Sequence, residues 1–440
     1  MTATWLEVAV GVTLATPLCL LAILGVGSLS AAPLPEVFVG RMTRGAMIVA
    51  FCAASLAWLL FLAGGSDPLV ISFGRWFTSR EAGFAFDFLV DGLSLPFATL
   101  SLGISGIVAA FSHRYLHREP GYNRYFVLFA VFVSGITLVA LAGSIEVLFA
   151  GWELLGLSSA LLVGFFWERR APVVNALRVF AVYRVSDAAM LAAAVLLHHW
   201  AGSGSLERLF SGQTGTVISA EQATIIAVLL IAAVAGKSGL LPFSGWLPRA
   251  MEGPTPSSAV FYGALSIHAG CFLLLRAEPL LAHSPLARAL AVCAGATTAV
   301  YATLVSRAQP DVKSTLAYAA LSQVGVIVVE IALGFTTLAL VHIVGHASFR
   351  LVQFLSAPNI LHDLHELEGR LGSHVRPDGG QFARLSVWRL AQRPSVYLFA
   401  LEGGFLDSII DRVVVEPFTR AVAFLDRFDR ALCGREGDDD

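Results

Sequence analysis

Only two of the 29 basic residues in this 440-residue chain are lysines, Lys237 and Lys313, and Lys237 lies within a long apolar stretch. Arginine keeps its proton at any accessible pH, whereas a lysine withdrawn from water can release one. A chain that uses arginine almost everywhere but lysine at membrane depth suggests a site where the proton must come off. A lysine held statically by a counter-ion is the competing explanation, but ionisable groups inside a membrane are costly and functional by default. Glu153, in Gly151-Trp152-Glu153, lies midway along another apolar stretch and is the expected partner of Lys237. A Glu–Lys pair that opens and closes would act as a switch. Arg184 and Asp187 are three residues apart, share a helix face, and are expected to form an ion pair with each other. His342, His346 and Arg350 are spaced by four, so all three line one face of a helix. Histidine titrates near neutral pH and both takes and gives protons. Two in register above an arginine therefore suggest a hydrated proton path rather than two core histidines bonded to backbone. His268 and Glu330 are further candidates. A metal bound through His342 and His346 would lack an evident third ligand.

These residues need membrane helices to hold them. The chain is 56% hydrophobic and 14% charged, where a soluble domain carries about a quarter charged. Apolar runs of about 20 residues, each long enough to cross ~30 Å of hydrocarbon, recur near 5–27, 45–64, 93–112, 124–142, 145–166, 173–198, 223–243, 257–277, 287–306, 315–334 and 336–357. The expected fold is therefore an all-α polytopic membrane protein of about eleven spans. No Lys or Arg precedes the first span, so it is expected to stay in the mature protein rather than be cleaved as a signal peptide. Short loops after spans 1, 3, 5, 7 and 9 hold Arg41, Arg44, Arg114, Arg118, Arg124, Arg169, Arg170, Arg249, Arg307 and Lys313. The alternate loops hold only Arg75, Arg80, Arg208, Arg276 and Arg288. That asymmetry predicts an N-terminus outside and a C-terminus in the cytoplasm, in a cell (inner) membrane.

Span 7 is expected to be broken, because Ala235-Gly236-Lys237-Ser238-Gly239-Leu240-Leu241-Pro242 packs glycine and proline around the lysine. Irregular backbone at membrane depth is tolerated where it is buried in protein or lines a watery cavity, and transporters build ion sites that way. Leu69–Phe73 and Phe84–Phe88 partly alternate apolar and polar residues, which suggests a small extracytoplasmic hairpin. Residues 1–360 are expected to form one bundle. Residues 361–440 are expected to form a polar linker and an amphipathic helical tail lying on the membrane surface or docking a partner. The five cysteines form no CxxC, and no haem or iron–sulfur spacing appears. No cofactor or metal site is indicated, and any redox centre would sit on another chain.

Seven motifs, taken in order, resemble a known family. They are Phe88-Leu89-Val90-Asp91-Gly92-Leu93-Ser94, Gly151-Trp152-Glu153, Arg184-Val185-Ser186-Asp187, Gly236-Lys237-Ser238, Met251-Glu252-Gly253-Pro254-Thr255-Pro256-Ser257-Ser258-Ala259, Asp311-Val312-Lys313-Ser314-Thr315-Leu316-Ala317-Tyr318 and His342-Ile343-Val344-Gly345-His346. Together they are similar to the large (L-type) antiporter-like, proton-translocating subunits of respiratory complex I. Relatives of those subunits serve multisubunit cation/proton antiporters, membrane hydrogenases and inorganic-carbon uptake complexes. The resemblance implies that Glu153 and Lys237 are the pair of a first half-channel. It implies that Lys313, His342 and His346 form a central relay, with Arg350 where the family often has lysine. Where the family has histidine after the Pro-Thr-Pro motif, this chain has Tyr262, with His268 six residues further on. The family continues with a second broken, lysine-bearing helix. Here the chain is expected to leave the membrane after span 11, so either a neighbouring subunit completes the path, or the protein conducts differently, or it does not conduct.

The function expected from all this is proton conduction within a larger complex, without a catalytic site of the chain's own. The complex would be a redox-driven oxidoreductase or, alternatively, an inorganic-carbon uptake system driven by the proton gradient. A non-conducting scaffold is the third possibility. Expected partners are other membrane subunits, a cytoplasmic subunit docked on the tail, and the lipid bilayer, with no nucleic acid.

Overall fold

The computed structural model describes residues 2–29, 34–78, 83–210, 218–309, 311–371 and 409–432, together with Leu401 and Gly404. Eleven helical spans are long and apolar enough to cross a bilayer, and the chain is a multi-pass membrane protein. In chain order they are α1 (Thr2–Ser28), α2 (Glu36–Ala63), α3 (Ser94–Tyr115), α4 (Tyr122–Leu141), α5 (Ile145–Val163), α6 (Arg170–Ala201), α7 (Ala220–Ser238), α8 (Thr255–Arg276), α9 (Pro285–Ser306), α10 (Val312–Ala332) and α11 (Thr336–Leu371). Every backbone group in hydrocarbon needs an internal partner, which is why apolar runs of this length become helices. The most apolar window of α8 is 100% buried against 33–39% for α1, α2, α9 and α11, so α8 is the axis of the bundle and those four are its periphery. Small residues let helices close on one another. A side chain at Gly151 would meet the Gly135 carbonyl at 2.7 Å, so α5 lies backbone to backbone on α4 just before Glu153.

Span 7 is broken as expected. Helix α7 stops at Ser238, Gly239 adopts φ +73°, and residues Phe243–Glu252 continue as short turns of helix. Lys237 therefore sits in a last helical turn whose carbonyls need outside donors. Trp246 Nε1 donates to Gly236 O at 3.0 Å, which answers one of them. The Ser238 hydroxyl donates to Ile267 O at 2.6 Å and ties the break to α8. Helix α8 itself widens into a π-helical stretch over Ala259–Leu265, with Ser266 N–H donating to Phe261 O.

The hairpin is present, as β1 (Leu69–Thr78) antiparallel to β2 (Gly83–Val90), with Leu69 opposite Val90 and Ile71 opposite Phe88. Asp91 follows directly: its Oδ1 accepts from Leu93 N at 3.0 Å and Ser94 N at 2.8 Å, capping α3, and its carboxylate pairs with Arg276 at the end of α8. Helix α11 runs on through Leu371, so the expected boundary at residue 360 falls within a helix. The expectations for residues 372–400 lie outside the described residues. The tail forms α12 (Glu416–Leu432) after a turn of π-helix at Asp411–Val415. Its start lies on α6, where Asp411 pairs with Arg178 and the rings of Phe418 and Phe180 stand 5.9 Å apart.

Candidate functional site

Two polar clusters, each with a buried centre and a half-buried edge, flank α8. The first gathers on α5, α6 and α7. Lys237 is fully buried, and its ammonium donates to Trp152 O at 3.1 Å. The same nitrogen lies 4.4 Å from the Tyr183 ring centre and 4.7 Å from that of Trp152, so two aromatic faces replace much of its hydration shell. Its ion-pair partner is Asp187, with Nζ 3.9 Å from Oδ1. That same Oδ1 accepts from Trp152 Nε1 at 2.8 Å. Glu153, the partner expected from sequence, is instead held by Arg184 at 2.8 Å. The correction has a simple cause: Arg184 bridges the two carboxylates, reaching Asp187 Oδ2 at 2.6 Å with its other terminal nitrogen. Its guanidinium also stacks over Phe180 at 4.6 Å. The Arg184–Asp187 pair expected from their spacing is therefore present, as half of a three-way bridge.

The second cluster lies between α8, α10 and α11. His268 Nδ1 can only donate to the Ala264 carbonyl, 2.5 Å away. Its Nε2, 2.9 Å from His346 Nδ1, must then accept if the ring is neutral. His346 in turn presents Nε2 to Arg350, whose Nε–H donates at 3.0 Å. The result is a directed chain, Arg350 to His346 to His268 to Ala264 O, in which each neutral ring carries its hydrogen on Nδ1. Gln353 Oε1 accepts from Arg350 at 2.7 Å and holds the guanidinium in place. His342 stands apart from this chain. Its Nδ1 faces both oxygens of Glu330, at 3.0 and 3.1 Å, and its ring centre is 6.1 Å from that of His346. Lys313 is separate again. It is the second residue of α10, beside the N-cap Asp311, whereas Glu330 is at the far end of the same helix. Seventeen residues of helical rise put the two about 25 Å apart, so the structure parts Lys313 from the histidines with which the family resemblance groups it.

Between the clusters lie the buried hydroxyls of Tyr183 on α6 and Ser266 on α8, close enough to interact with each other and with the Ser159 hydroxyl. Tyr262 donates to Ser159 O at 3.3 Å and faces Trp246 rather than the histidines. His268 is the α8 residue that reaches the histidines of α11. Among the described residues, no group of three or more His, Cys, Asp or Glu could hold a metal ion.

Gly156 escaped the sequence reading: a side chain there would stand 2.8 Å from Lys237 Nζ. Nothing in a single sequence marks that glycine. Gln353 was also missed, although its place three residues after Arg350 offered a signal.

Comparison with known proteins agrees with this architecture. Residues 142–371 match the family described as NADH:quinone oxidoreductase/Mrp antiporter, TM, and residues 76–126 match the NADH-ubiquinone oxidoreductase (complex I), chain 5 N-terminus. NADH-ubiquinone oxidoreductase chain 5 of Schizophyllum commune is 31% identical over 72% of this chain and 45% of its own length. That of Neurospora crassa is 32% identical over 70% and 43%. The chain thus spans about half the length of these curated relatives. Among solved structures, a chain of the Mrp complex from Dietzia sp. DQ12-45-1b superposes with TM-score 0.65 at 26% identity, covering 92% of this chain and 43% of that one. A chain of the membrane-bound sulfane sulfur reductase, an archaeal respiratory membrane complex, shares the fold with TM-score 0.69 at 17% identity, covering 97% and 95%. Fold and site together define an antiporter-like membrane subunit. The chain belongs to the complex I chain 5/Mrp antiporter-like family.

Proposed function

We propose that this chain conducts protons as an antiporter-like membrane subunit of a larger energy-coupling complex. Glu153, Arg184, Asp187 and Lys237 form one relay unit, and His268, His342, His346 and Arg350 form a second. The observation that carries this is the fully buried Lys237 ammonium at a helix break, with a carboxylate 3.9 Å away rather than in contact. Such a pair is loose enough to be rearranged. If Arg184 shifts wholly to Glu153, Asp187 is left to draw in Lys237. If Arg184 shifts to Asp187, Lys237 loses its counter-charge and is driven to give up its proton. The buried hydroxyls of Tyr183 and Ser266, which lie next to each other, supply polar steps from Lys237 toward His268.

In this proposal the N-terminus is outside, the face bearing the basic loops is cytoplasmic, and the tail after residue 360 docks a partner there. The same route would serve a complex whose proton flux drives inorganic-carbon uptake. Quinone-oxidoreductase or hydrogenase subunits among the co-purifying chains would mark a redox pump, and a zinc hydratase-like chain would mark carbon uptake.

The test is proton flux of the intact complex in membrane vesicles. Lys237→Ala and Lys237→Arg should each reduce flux at least tenfold with assembly unchanged, because arginine keeps the charge but not the exchangeable proton. Flux near wild type in Lys237→Arg would make the lysine a static counter-ion and end this proposal.

A further inference from the structure

A cavity of about 580 Å³ opens between α2 and α3, lined by Arg44, Ala110, Phe111, Arg114 and Tyr115. It lies on the side of the bundle that carries the basic loops, at the start of α2 and the last turn of α3. Arg44 is eight residues into α2, roughly 12 Å along the helix, and its Nε donates to Gly40 O at 3.1 Å, which fixes the guanidinium and leaves its terminal nitrogens for another acceptor. Glu36, the carboxylate at that end of α2, is already engaged by His117 Nδ1 at 2.8 Å and the Arg118 amide at 3.0 Å. Among the described residues, neither Arg44 nor Arg114 has a carboxylate partner.

From the cavity toward the middle of the bilayer, the seam between the two helices is apolar and open. Ile48 and Phe51 follow Arg44 along α2, and Ile107 precedes Phe111 on α3; these three are 62%, 40% and 55% exposed. Gly103 receives the Phe51 ring, which keeps the seam shallow rather than filled. Two unpaired guanidinium groups at headgroup depth, continuous with an apolar groove, match one molecule with an anionic head and acyl tails. We propose that this cavity is a binding site for an anionic phospholipid, its phosphate held by Arg44 and Arg114 and an acyl chain laid along Ile48, Phe51 and Ile107. Basic pockets between membrane helices hold phosphate headgroups by the same electrostatics.

The experiment uses the full chain reconstituted in nanodiscs of phosphatidylcholine containing a minority of phosphatidylglycerol, followed by native mass spectrometry. Phosphatidylglycerol should be retained over phosphatidylcholine. The double variant Arg44→Gln/Arg114→Gln should lose that preference by roughly 30-fold, the loss expected for two charges near an anionic surface. Arg44→Lys/Arg114→Lys, which keeps both charges, should retain most of it and guards against a folding defect. Four results would overturn the assignment. Equal retention of the two lipids would do so, as would unchanged preference in the glutamine variant. Displacement of the lipid by millimolar inorganic phosphate would show a free-anion site instead. In the intact complex, loss of a neighbouring subunit by the glutamine variant, with lipid retention intact, would assign the groove to a protein contact and likewise overturn it.

Discussion

At the scale of single residues, the proposed proton relay turns on how tightly Lys237 is seated. Gly156 on α5 is where its ammonium rests, and a methyl group there would stand 2.8 Å from Nζ. That is well inside van der Waals contact, so Gly156→Ala should push Lys237 away from Trp152 O and Asp187. Overpacking of this kind costs about 1–3 kcal/mol, which an eleven-helix bundle survives. Gly156→Ala is therefore expected to assemble but to lose at least tenfold in proton flux, approaching Lys237→Ala. Normal flux in an assembled Gly156→Ala complex would show that the lysine's position is not critical. Lys237, Glu153 and the histidines were legible in the sequence because charge inside an apolar run stands out. Their pairing was not. Arg184 carries two carboxylates at once, and no spacing rule along one helix foresees a bridge from α6 to α5.

At the scale of elements, the break in α7 and the hairpin were both legible, the first from glycine and proline around Lys237 and the second from alternation. What α8 contributes was not. Its sequence is a plain apolar run, yet it becomes the fully buried axis and brings His268 to His346. Contact between helices depends on rotation about each axis, which a single sequence leaves open. The α8–α11 contact makes a spectroscopic prediction. Nitrogen NMR of labelled histidines in the assembled protein should show both His268 and His346 as Nδ1–H tautomers. Arg350→Met removes the fixed donor at Nε2 of His346 and should leave that ring as a tautomer mixture, whereas Arg350→Lys should preserve the Nδ1–H form. An Nε2–H tautomer at His346 in the wild type would reverse the inferred direction of the chain.

The C-terminal end of α8 is tied to β2 and α3 by Asp91. Burial raises the affinity of this carboxyl for its proton, but Arg276 and the Ser94 and Leu93 amides outweigh that and hold it below the usual carboxylate range. A depressed folded value means that the stabilisation is full above the unfolded value of about 3.9 and is lost as the pH falls through the folded value. Asp91→Asn keeps the cap acceptor but leaves Arg276 buried without its counter-charge. It should cost about 3–5 kcal/mol at neutral pH, and that difference should shrink toward zero in strong acid. Thermal melting of the two proteins across pH 3 to 7 (roughly the range spanning the unfolded value) measures it. A difference that does not change with pH would mean that the Asp91 charge contributes nothing to it.

At the scale of the whole molecule, the number of spans was legible because each membrane helix satisfies its own backbone and so announces itself by length and apolarity. The tail was legible only in kind. Its amphipathic pattern predicted a helix on a surface, and the structure adds where that helix begins, on the flank of α6 one and a half turns before Arg184. The anchorage is slight: Asp411 on Arg178, and Phe418 against Phe180, the ring that also carries the Arg184 guanidinium. Beyond it, α12 leaves Phe424, Leu425 and Phe428 at 60%, 61% and 55% exposed, a stripe of large apolar side chains that water alone would not favour. Because the eleven spans satisfy their backbones among themselves, deleting residues 409–440 should leave the bundle inserted and its melting temperature within a few degrees of wild type. The same deletion should release a subunit that co-purifies with the full chain, and Phe424→Asp with Phe428→Asp should release it too, since both put charge on the stripe without touching α6. Retention of every co-purifying subunit by the truncated chain would rule out the tail as a docking element. Collapse of the bundle on truncation would show instead that α12 belongs to its core.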